Sequence, residues 1–196
     1  MSDIVRATRA DVHALAETLT SAYEDDPVWN WLLPRERDRR IRGLLRAHLA
    51  QQVDLGRVWS DIDRSVAVVW CPPGEWQLPV SYLLRNAAVL ARTGRAQLPR
   101  MGGRLLTLER RHPKAPEHWY LEYIGTHADA RGTGRGSVVL SALLRQADEA
   151  GQPTYLESSN ERNLSFYKRH GFALREELTF RSGPPMWAMW RAADGA

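Results

Sequence analysis

Between Asp129 and Leu144 the chain reads DARGTGRGSVVLSALL. Gly132, Gly134 and Gly136 stand at every second position, Arg131 and Arg135 lie among them, and an apolar helical pattern follows at once. Glycine lets a backbone take left-handed conformations and come close to a ligand. N–H groups that converge at a helix N-terminus, where the helix dipole favours negative charge, form a cradle for an anion. Here that cradle would be Arg131, Gly132, Thr133, Gly134, Arg135, Gly136 and Ser137. It is not a P-loop, because no Gly-Lys-Ser/Thr closes it. The dinucleotide fingerprint G-x-G-x-x-G is met at Gly132 and Gly134 but has Ser137 in third place. Glu157 does follow where a ribose ligand would stand, yet the chain has no obvious room for a second nucleotide-binding half.

The loop needs a strand before it and a helix after it. HWYLEYIGTHA, rich in aromatic and β-branched residues, reads as that strand, and the helix runs to about Ala150. Upstream, IVRAT reads as a short strand and Asp11 as the cap of a helix to about Ala22. YEDDPVWNWLLP reads as a loop, with a second helix after it to about Gln52. Two strands then flank a turn near Asp61 to Arg64 and stop at Pro72 and Pro73. From Pro79 to Arg111 the pattern is helical, with a break at TGRAQLPR. Downstream come a strand PTYLES, a helix from Asn160 to His170 and two terminal strands. The order predicts a mixed α/β sheet in one domain.

Composition bounds what such a domain does. The 196 residues suit one substantial core, and the charged N-terminus lacks the apolar stretch of a signal peptide. The longest apolar run, Val66 to Cys71, is too short to span a bilayer. One cysteine, Cys71, allows neither an internal disulfide nor a multi-cysteine zinc site. The net charge is only +4, and 25 of the 27 basic residues are arginine. The densest basic stretch, Arg35 to Arg46, is interrupted by Glu36 and Asp38 and reads as an amphipathic helix rather than a nucleic-acid face. The expectation is a soluble cytoplasmic protein, monomer or homodimer, with neither nucleic acid nor membrane as a partner.

A second constellation lies downstream. NERNLSFYKRHGF places Asn160, Tyr167, Gly171 and Phe172 at spacings of seven, four and one. Together with the Arg131-x-x-Gly134-x-Gly136 loop, it resembles the acetyl-CoA signature of the GNAT acetyltransferase superfamily. VRATRADV, LGRVW, VAVVW, RHPKAP, YLESS and the end containing Trp187 extend the likeness, most nearly to members like puromycin N-acetyltransferase. The resemblance implies a single-domain GNAT fold over residues 1–196, a central mixed, mostly antiparallel twisted sheet flanked by helices. It implies acetyl-CoA as co-substrate, no metal, and direct transfer of the acetyl group to an amine in a ternary complex. Residues 131–137 would hold the pyrophosphate, with Ile124, Gly125 and Thr126 on the splayed strand, and Asn160, Asn163 and Tyr167 facing the pantetheine and sulfur. Ala128 departs from the pattern, since relatives often have proline before the loop.

Acyl transfer needs a fixed donor for an oxyanion, a base for the amine and an acid for the thiolate. A backbone N–H on the strand can be the first. Glu122 is the candidate base, and Tyr120 alternates with it on one face of the strand. Tyr167 is the candidate acid, because a phenol near pKa 10 stays protonated at neutral pH. The acceptor region of this superfamily corresponds here to YEDDPVWNWLLP, where Asp25, Asp26 and Trp29, with Tyr120, would receive a cationic amine. A cap carboxylate and packed tryptophans are the alternative. His112 and His118 read as structural imidazoles and Cys71 as a small hydrophobe. Three activities fit: acetylation of a small amine such as an antibiotic or toxic metabolite, acetylation of a protein lysine or N-terminus, or CoA binding without catalysis.

Overall fold

A computed structural model describes residues 4–77 and 97–194 of the protein. Seven strands form one sheet in the order β1-β2-β3-β4-β5-β7-β6. They are β1 (Ile4–Arg6), β2 (Val58–Asp61), β3 (Val66–Cys71), β4 (Trp119–Thr126), β5 (Thr154–Ser158), β6 (Ala173–Leu178) and β7 (Met186–Arg191). Every neighbouring pair is antiparallel except β4 with β5. The helices are α1 (Val12–Ala22), α2 (Pro27–Leu32), α3 (Arg37–Asp54), α4 (Leu98–Arg111), α5 (Arg135–Glu149) and α6 (Leu164–Arg169). This is the single-domain α/β architecture, with a mostly antiparallel open sheet between helices, that the sequence predicts.

β3 shows why the sheet sits in the middle. All six residues of VAVVWC are buried, as a strand covered on both faces requires. Ala67, Val69 and Cys71 pack toward Leu15 and Leu19 of α1 and Ile41, Leu45 and Leu49 of α3. Val66, Val68 and Trp70 pack on the other side, against Val139, Leu140, Leu143 and Leu144 of α5. The basic stretch of α3 is amphipathic as expected, but its buried stripe includes two polar residues, His48 and Gln52.

Several boundaries differ from the sequence reading. YEDDPVWNWLLP is not all loop: Asp26 caps the six-residue α2, accepting from the Val28 and Trp29 N–H groups at 2.9 and 3.0 Å, with Pro27 at the first helical position. Six residues are too few for a helical period to show in sequence. Asp11 stands at the N-cap position of α1, but its carboxylate turns back to the Thr8 N–H and hydroxyl and accepts from Arg64 Nε. The helix expected from Asn160 to His170 is a 3₁₀ turn over Glu161–Asn163 followed by α6. α4 begins at Leu98, at the expected break, and the helical reading of residues 79–96 lies outside the described residues.

Gly125 in β4 is where α1 meets the sheet. A Cβ built there would lie 2.6 Å from Ala22 Cβ and 2.8 Å from Leu19 Cδ2. Gly125→Ala should therefore cost about 1–3 kcal/mol by overpacking. Urea denaturation checks this, and a variant as stable as wild type would show that α1 can move aside.

Candidate active site

The site begins with an irregularity in β4. Val69 of β3 pairs with Tyr123 but Trp70 pairs with Leu121, so Glu122 is an extra residue, a β-bulge. The bulge shifts the alternation of the strand. Tyr120 packs on the α1–α3 side, yet beyond the bulge it is Tyr123, not Ile124, that does so. Tyr120, Glu122 and Tyr123 consequently line one pocket. The expectation that Tyr120 and Glu122 share a face holds, and Tyr123 joins them only because of the extra residue.

β4 also leaves its other neighbour. It pairs with β5 at Trp119, Tyr120 and Leu121 and no further, although both strands continue. On the opposite edge the His127 N–H bonds to Ser65 O at 2.8 Å, extending the β3 register. Alternation along an antiparallel ladder then gives the main-chain groups of Gly125 and Tyr123 to β3 and turns those of Ile124 and Thr126 toward the gap. Tyr23 confirms the direction for Ile124: its hydroxyl donates to Ile124 O at 3.1 Å. Gly125 is thus corrected as a cofactor residue in one respect: its missing side chain admits α1, and its main chain serves β3.

The gap opens onto the glycine loop. Gly132 and Gly134 have φ of 76° and 82°, which favour glycine, and a Cβ on either would meet nothing within 4 Å. Gly134 is the N-cap of α5. The first N–H groups of a helix have no intrahelical partner and here open beside the gap. Gly136 has a different reason to be glycine, since its Cβ would lie 2.8 Å from Thr126 Oγ1 and push α5 off β4. Ala128 answers the departure from the family pattern: its N–H donates to Ser21 Oγ at 3.0 Å, a bond proline could not make.

A cleft of about 530 Å³ follows, lined by Ile124, Gly125 and Thr126, Ala130 to Gly132 and Gly134 to Ser137 of the loop, Asn160, Asn163 and Tyr167, whereas Thr133 faces a cavity on the other side of the loop. Of the expected cofactor residues, four spend their side chains on the protein, Thr133 by donating its hydroxyl to Ala130 O at 2.7 Å. Arg131 Nη2 donates to Ser21 O and Ala22 O at 2.8 and 3.0 Å, holding the C-terminus of α1. Arg135 Nη1 binds Asp61 at 3.0 Å and also Asp63, on the β2–β3 turn. Asn160 Oδ1 caps the 3₁₀ turn, accepting from the Arg162 N–H at 3.1 Å. Arg162 and Arg169, which the sequence reading passes over, add positive charge to this cleft.

A second pocket, about 400 Å³ and largely apolar, meets this cleft at Tyr23, Ile124, Asn163 and Tyr167. Among its described residues are Trp29, Leu44, Leu45, His48, Met101, Arg104, Leu105, Tyr120, Glu122, Tyr123 and Glu157. Glu122 is partly buried, its side chain 14% exposed, with His48 Nε2 3.0 Å from Oε1. Gln52 Nε2 donates to Oε2 at 3.3 Å, and the Cys71 thiol lies 3.7 Å from the same oxygen. Burial, helped by Glu122, pushes the Cys71 thiol well above its ordinary value, so it carries no thiolate nucleophile. His48 and Gln52 were not foreseen. Their signal was two polar groups, four apart, on the apolar stripe of α3.

Of the four expected acceptor residues, Trp29 and Tyr120 line this pocket. Tyr120 donates to Glu157 Oε2 at 2.7 Å. Asp25 is exposed and lies on the other cleft, because α2 starts just after it. Asp26 is the cap of α2 and accepts from Ser159 with its second oxygen, so its carboxylate is satisfied by the protein, against the expectation that it receives an amine. Burial still raises it above the usual carboxylate range. Tyr167 packs its ring against Phe166 and Phe172, centroids 5.3 and 6.0 Å away, while lining both cavities. Burial first, then Asp26, raises its hydroxyl above the phenol range, so it keeps its proton.

Behind Tyr120 runs a buried polar chain. Glu157, its side chain 3% exposed, lies 3.6 Å from His112 Nδ1. His112 Nε2 is 3.0 Å from His118 Nε2, and His118 Nδ1 is 2.8 Å from Pro116 O. A carbonyl only accepts, so His118 carries its proton on Nδ1, and His112 must donate through Nε2. Glu157 is therefore part of this chain, not a ribose ligand.

The parted strands, the bulge and the glycine loop at a helix N-terminus define a class of protein. Residues 96–172 match the family described as Acetyltransferase (GNAT) family. An uncharacterized N-acetyltransferase of Schizosaccharomyces pombe is 25% identical over 191 residues, covering 88% of this chain and 75% of that protein. A Corynebacterium glutamicum structure, described as histone acetyltransferase HPA2 and related acetyltransferase, superposes with a TM-score of 0.73 at 23% identity, covering 100% of this chain and 99% of that one. Arylalkylamine N-acetyltransferase 2 of Aedes aegypti gives 0.70 at 11% identity, covering 98% and 99%. The chain has the fold of these acetyltransferases, and its residues 96–172 carry the match to the family. Among the described residues no group of three or more His, Cys, Asp or Glu could hold a metal, and no helix is long and apolar enough to cross a membrane.

Burial lowers the pKa of His118 from its ordinary 6.5. Below 6.5 the unfolded chain takes a proton there before the folded one does, so folding stability should fall as pH drops from 6.5 toward 5. Comparing Tm over pH 7 to 5 in wild type and His118→Gln checks this. Equal slopes in both would free His118 of the effect.

Proposed function

We propose that this protein transfers the acetyl group of acetyl-CoA to the amine of a small, largely apolar molecule, directly and within a ternary complex. The observation that carries the reading is the position of Tyr167, on the wall shared by a cleft suited to an anionic cofactor and a pocket sized for a small molecule. The likeness to puromycin N-acetyltransferase-like sequences and the arylalkylamine substrate class named for the Aedes structure support an amine acceptor. A lysine on a protein surface or a chain N-terminus is the other acceptor class, and a pocket of about 400 Å³ lined mainly by aromatic and aliphatic side chains favours the small molecule.

The residues present fit the cofactor. Gly132 and Gly134 leave space, and the first turn of α5 with Arg135, Gly136 and Ser137 offers N–H groups and a positive dipole end to a pyrophosphate. Arg131 and Arg135 add to the field while their side chains brace the loop. Ile124 and Thr126 offer main-chain groups to the pantetheine, with Asn160 and Asn163 across the gap. When bound, acetyl-CoA supplies an acetyl group activated as a thioester.

The chain's own residues supply the rest. The Ile124 N–H faces the gap beside Tyr167 and is the fixed donor for an oxygen that gains negative charge. Glu122 is the base that takes the amine's proton, directly or through a water, and His48 and Gln52 hold its carboxylate toward the pocket. Tyr167 holds a proton on Oη at the meeting of the two cavities, ready for a leaving sulfur. Cys71 takes no part.

Tyr167→Phe keeps the ring packing and removes only the hydroxyl. It should lower kcat about 10²–10⁴-fold, the usual worth of general acid catalysis, with KM for acetyl-CoA and Tm nearly unchanged. CoA-thiol release against a panel of arylalkylamines measures this, and undiminished kcat would remove the acid from the mechanism. Free CoA should also raise Tm by mass action, whereas NAD should not. Gly134→Val, which cannot easily hold φ near 82°, should abolish that shift.

A further inference from the structure

One wall of the acceptor pocket is cationic. Arg104 of α4 lines that pocket with Met101, Leu105 and Leu108, and it is only 6% exposed. Its Nη2 donates to Pro184 O at 2.7 Å, in the segment between β6 and β7. Its guanidinium carbon lies 3.8 Å from the Phe180 ring centroid and 5.6 Å from that of Trp31. The Trp31 ring is itself pinned by close approach to Gly183, where a Cβ would meet it at 2.7 Å. The fork is thus held in place by a carbonyl and two rings.

Among the described residues its remaining donors have no protein partner. Nε and Nη1 are buried without a hydrogen bond, and no carboxylate lies within ion-pair distance among the described residues. The acids that also border the pocket are already engaged, Glu122 with His48 and Gln52, and Glu157 with Tyr120 and His112. A buried guanidinium with free donors is costly to keep, and a charge left so usually has a ligand to pair with. Burial lowers its pKa to about 10, so it remains a cation at neutral pH.

We propose that Arg104 recognises the acceptor, and that the preferred acceptor is an apolar amine that also carries a carboxylate. Glu122 and His48 serve the amine end, the leucines, Met101 and Trp29 the apolar body, and the free edge of Arg104 the carboxylate, by charge-assisted hydrogen bonds. The inference rests on the proposed amine acetylation and names the chemical class of its substrate.

The test measures kcat/KM with acetyl-CoA for phenylalanine, 4-(aminomethyl)benzoate and 6-aminohexanoate, each against its neutral primary amide. Wild type should prefer at least one acid over its amide by roughly 10- to 100-fold, the range of hydrogen bonds to a charged group. In Arg104→Met that ratio should fall to about one, and in Arg104→Lys, which keeps the charge but not the fork, to an intermediate value. A wild-type rise in Tm with CoA shows that each variant is folded. 3-Phenylpropionate, which has the carboxylate and no amine, should compete with the acceptor in wild type and not in Arg104→Met. Amides turned over as well as acids by wild type, or an acid preference that survives in folded Arg104→Met, overturns the proposal while amine acetylation stands. Acetylation of no amine at all, acid or amide, overturns the amine reading and this inference with it.

Discussion

The site depends on the separation of β4 from β5. A parallel pair that stayed joined along its length would spend the main-chain groups of Ile124 and Thr126 on the ladder and leave no opening in the sheet. The separation begins after Leu121, at the residue where Glu122 is inserted as a bulge. One extra residue thus does two things. It stands where pairing with β5 stops while pairing with β3 resumes in a shifted register, and it aims Tyr120, Glu122 and Tyr123 at the same pocket. An opened sheet must be held open by contacts elsewhere. Arg131 fastens the loop to the end of α1, Tyr23 reaches from that end to Ile124, and Gly125 lets α1 lie against the strand.

The far side of the opening is braced by charge. Arg191 of β7 pairs with both oxygens of Asp148 near the end of α5, at 2.6 and 2.9 Å, and its Nε donates to His170 O after α6. Gly171, with φ of 85°, lies where a Cβ would be 3.2 Å from that guanidinium. α5 and α6, which carry the glycine loop and Tyr167, are therefore tied to one strand through a single arginine. The polar chain from Tyr120 through Glu157 and His112 to His118 fills the sheet's other interior region. Such a network, once complete, fixes one arrangement of the side chains around the pocket.

Much of this was legible in the sequence because it rests on local rules. The glycine spacing, the helix after it and the continuous apolar run of β3 each follow from a short window, and the alternation of Tyr120 with Glu122 gave their common face. What stayed hidden rests on contacts across the chain. No local signal says that Glu122 is an extra residue, since a bulge exists only relative to the register of β3. His48, Gln52 and Glu122 come from two elements about seventy residues apart. Asp26 is acidic and near tryptophans, as a receptor for an amine would be, yet its oxygens complete α2 and bind Ser159. Likewise Gly125 and Gly136 look like ligand-approach glycines and prove to be packing glycines. Arg104 is one arginine among many in sequence, and its burial with Nε and Nη1 both unbonded distinguishes it.

We propose that CoA lies in the gap beside β4, continuous with the first turn of α5. A cavity of about 490 Å³ on the opposite side of the same loop, lined by Asp63, Arg64, Ser65, His127 and Arg135, is the rival location. Amide hydrogen exchange, resolved by residue and measured with and without CoA, separates the two. Added protection is expected at Ile124, Thr126 and the N–H groups of Gly134 to Ser137, with Asp63 to Ser65 unchanged. Protection confined to Asp63–Ser65 and His127, with Ile124 unaffected, would contradict it.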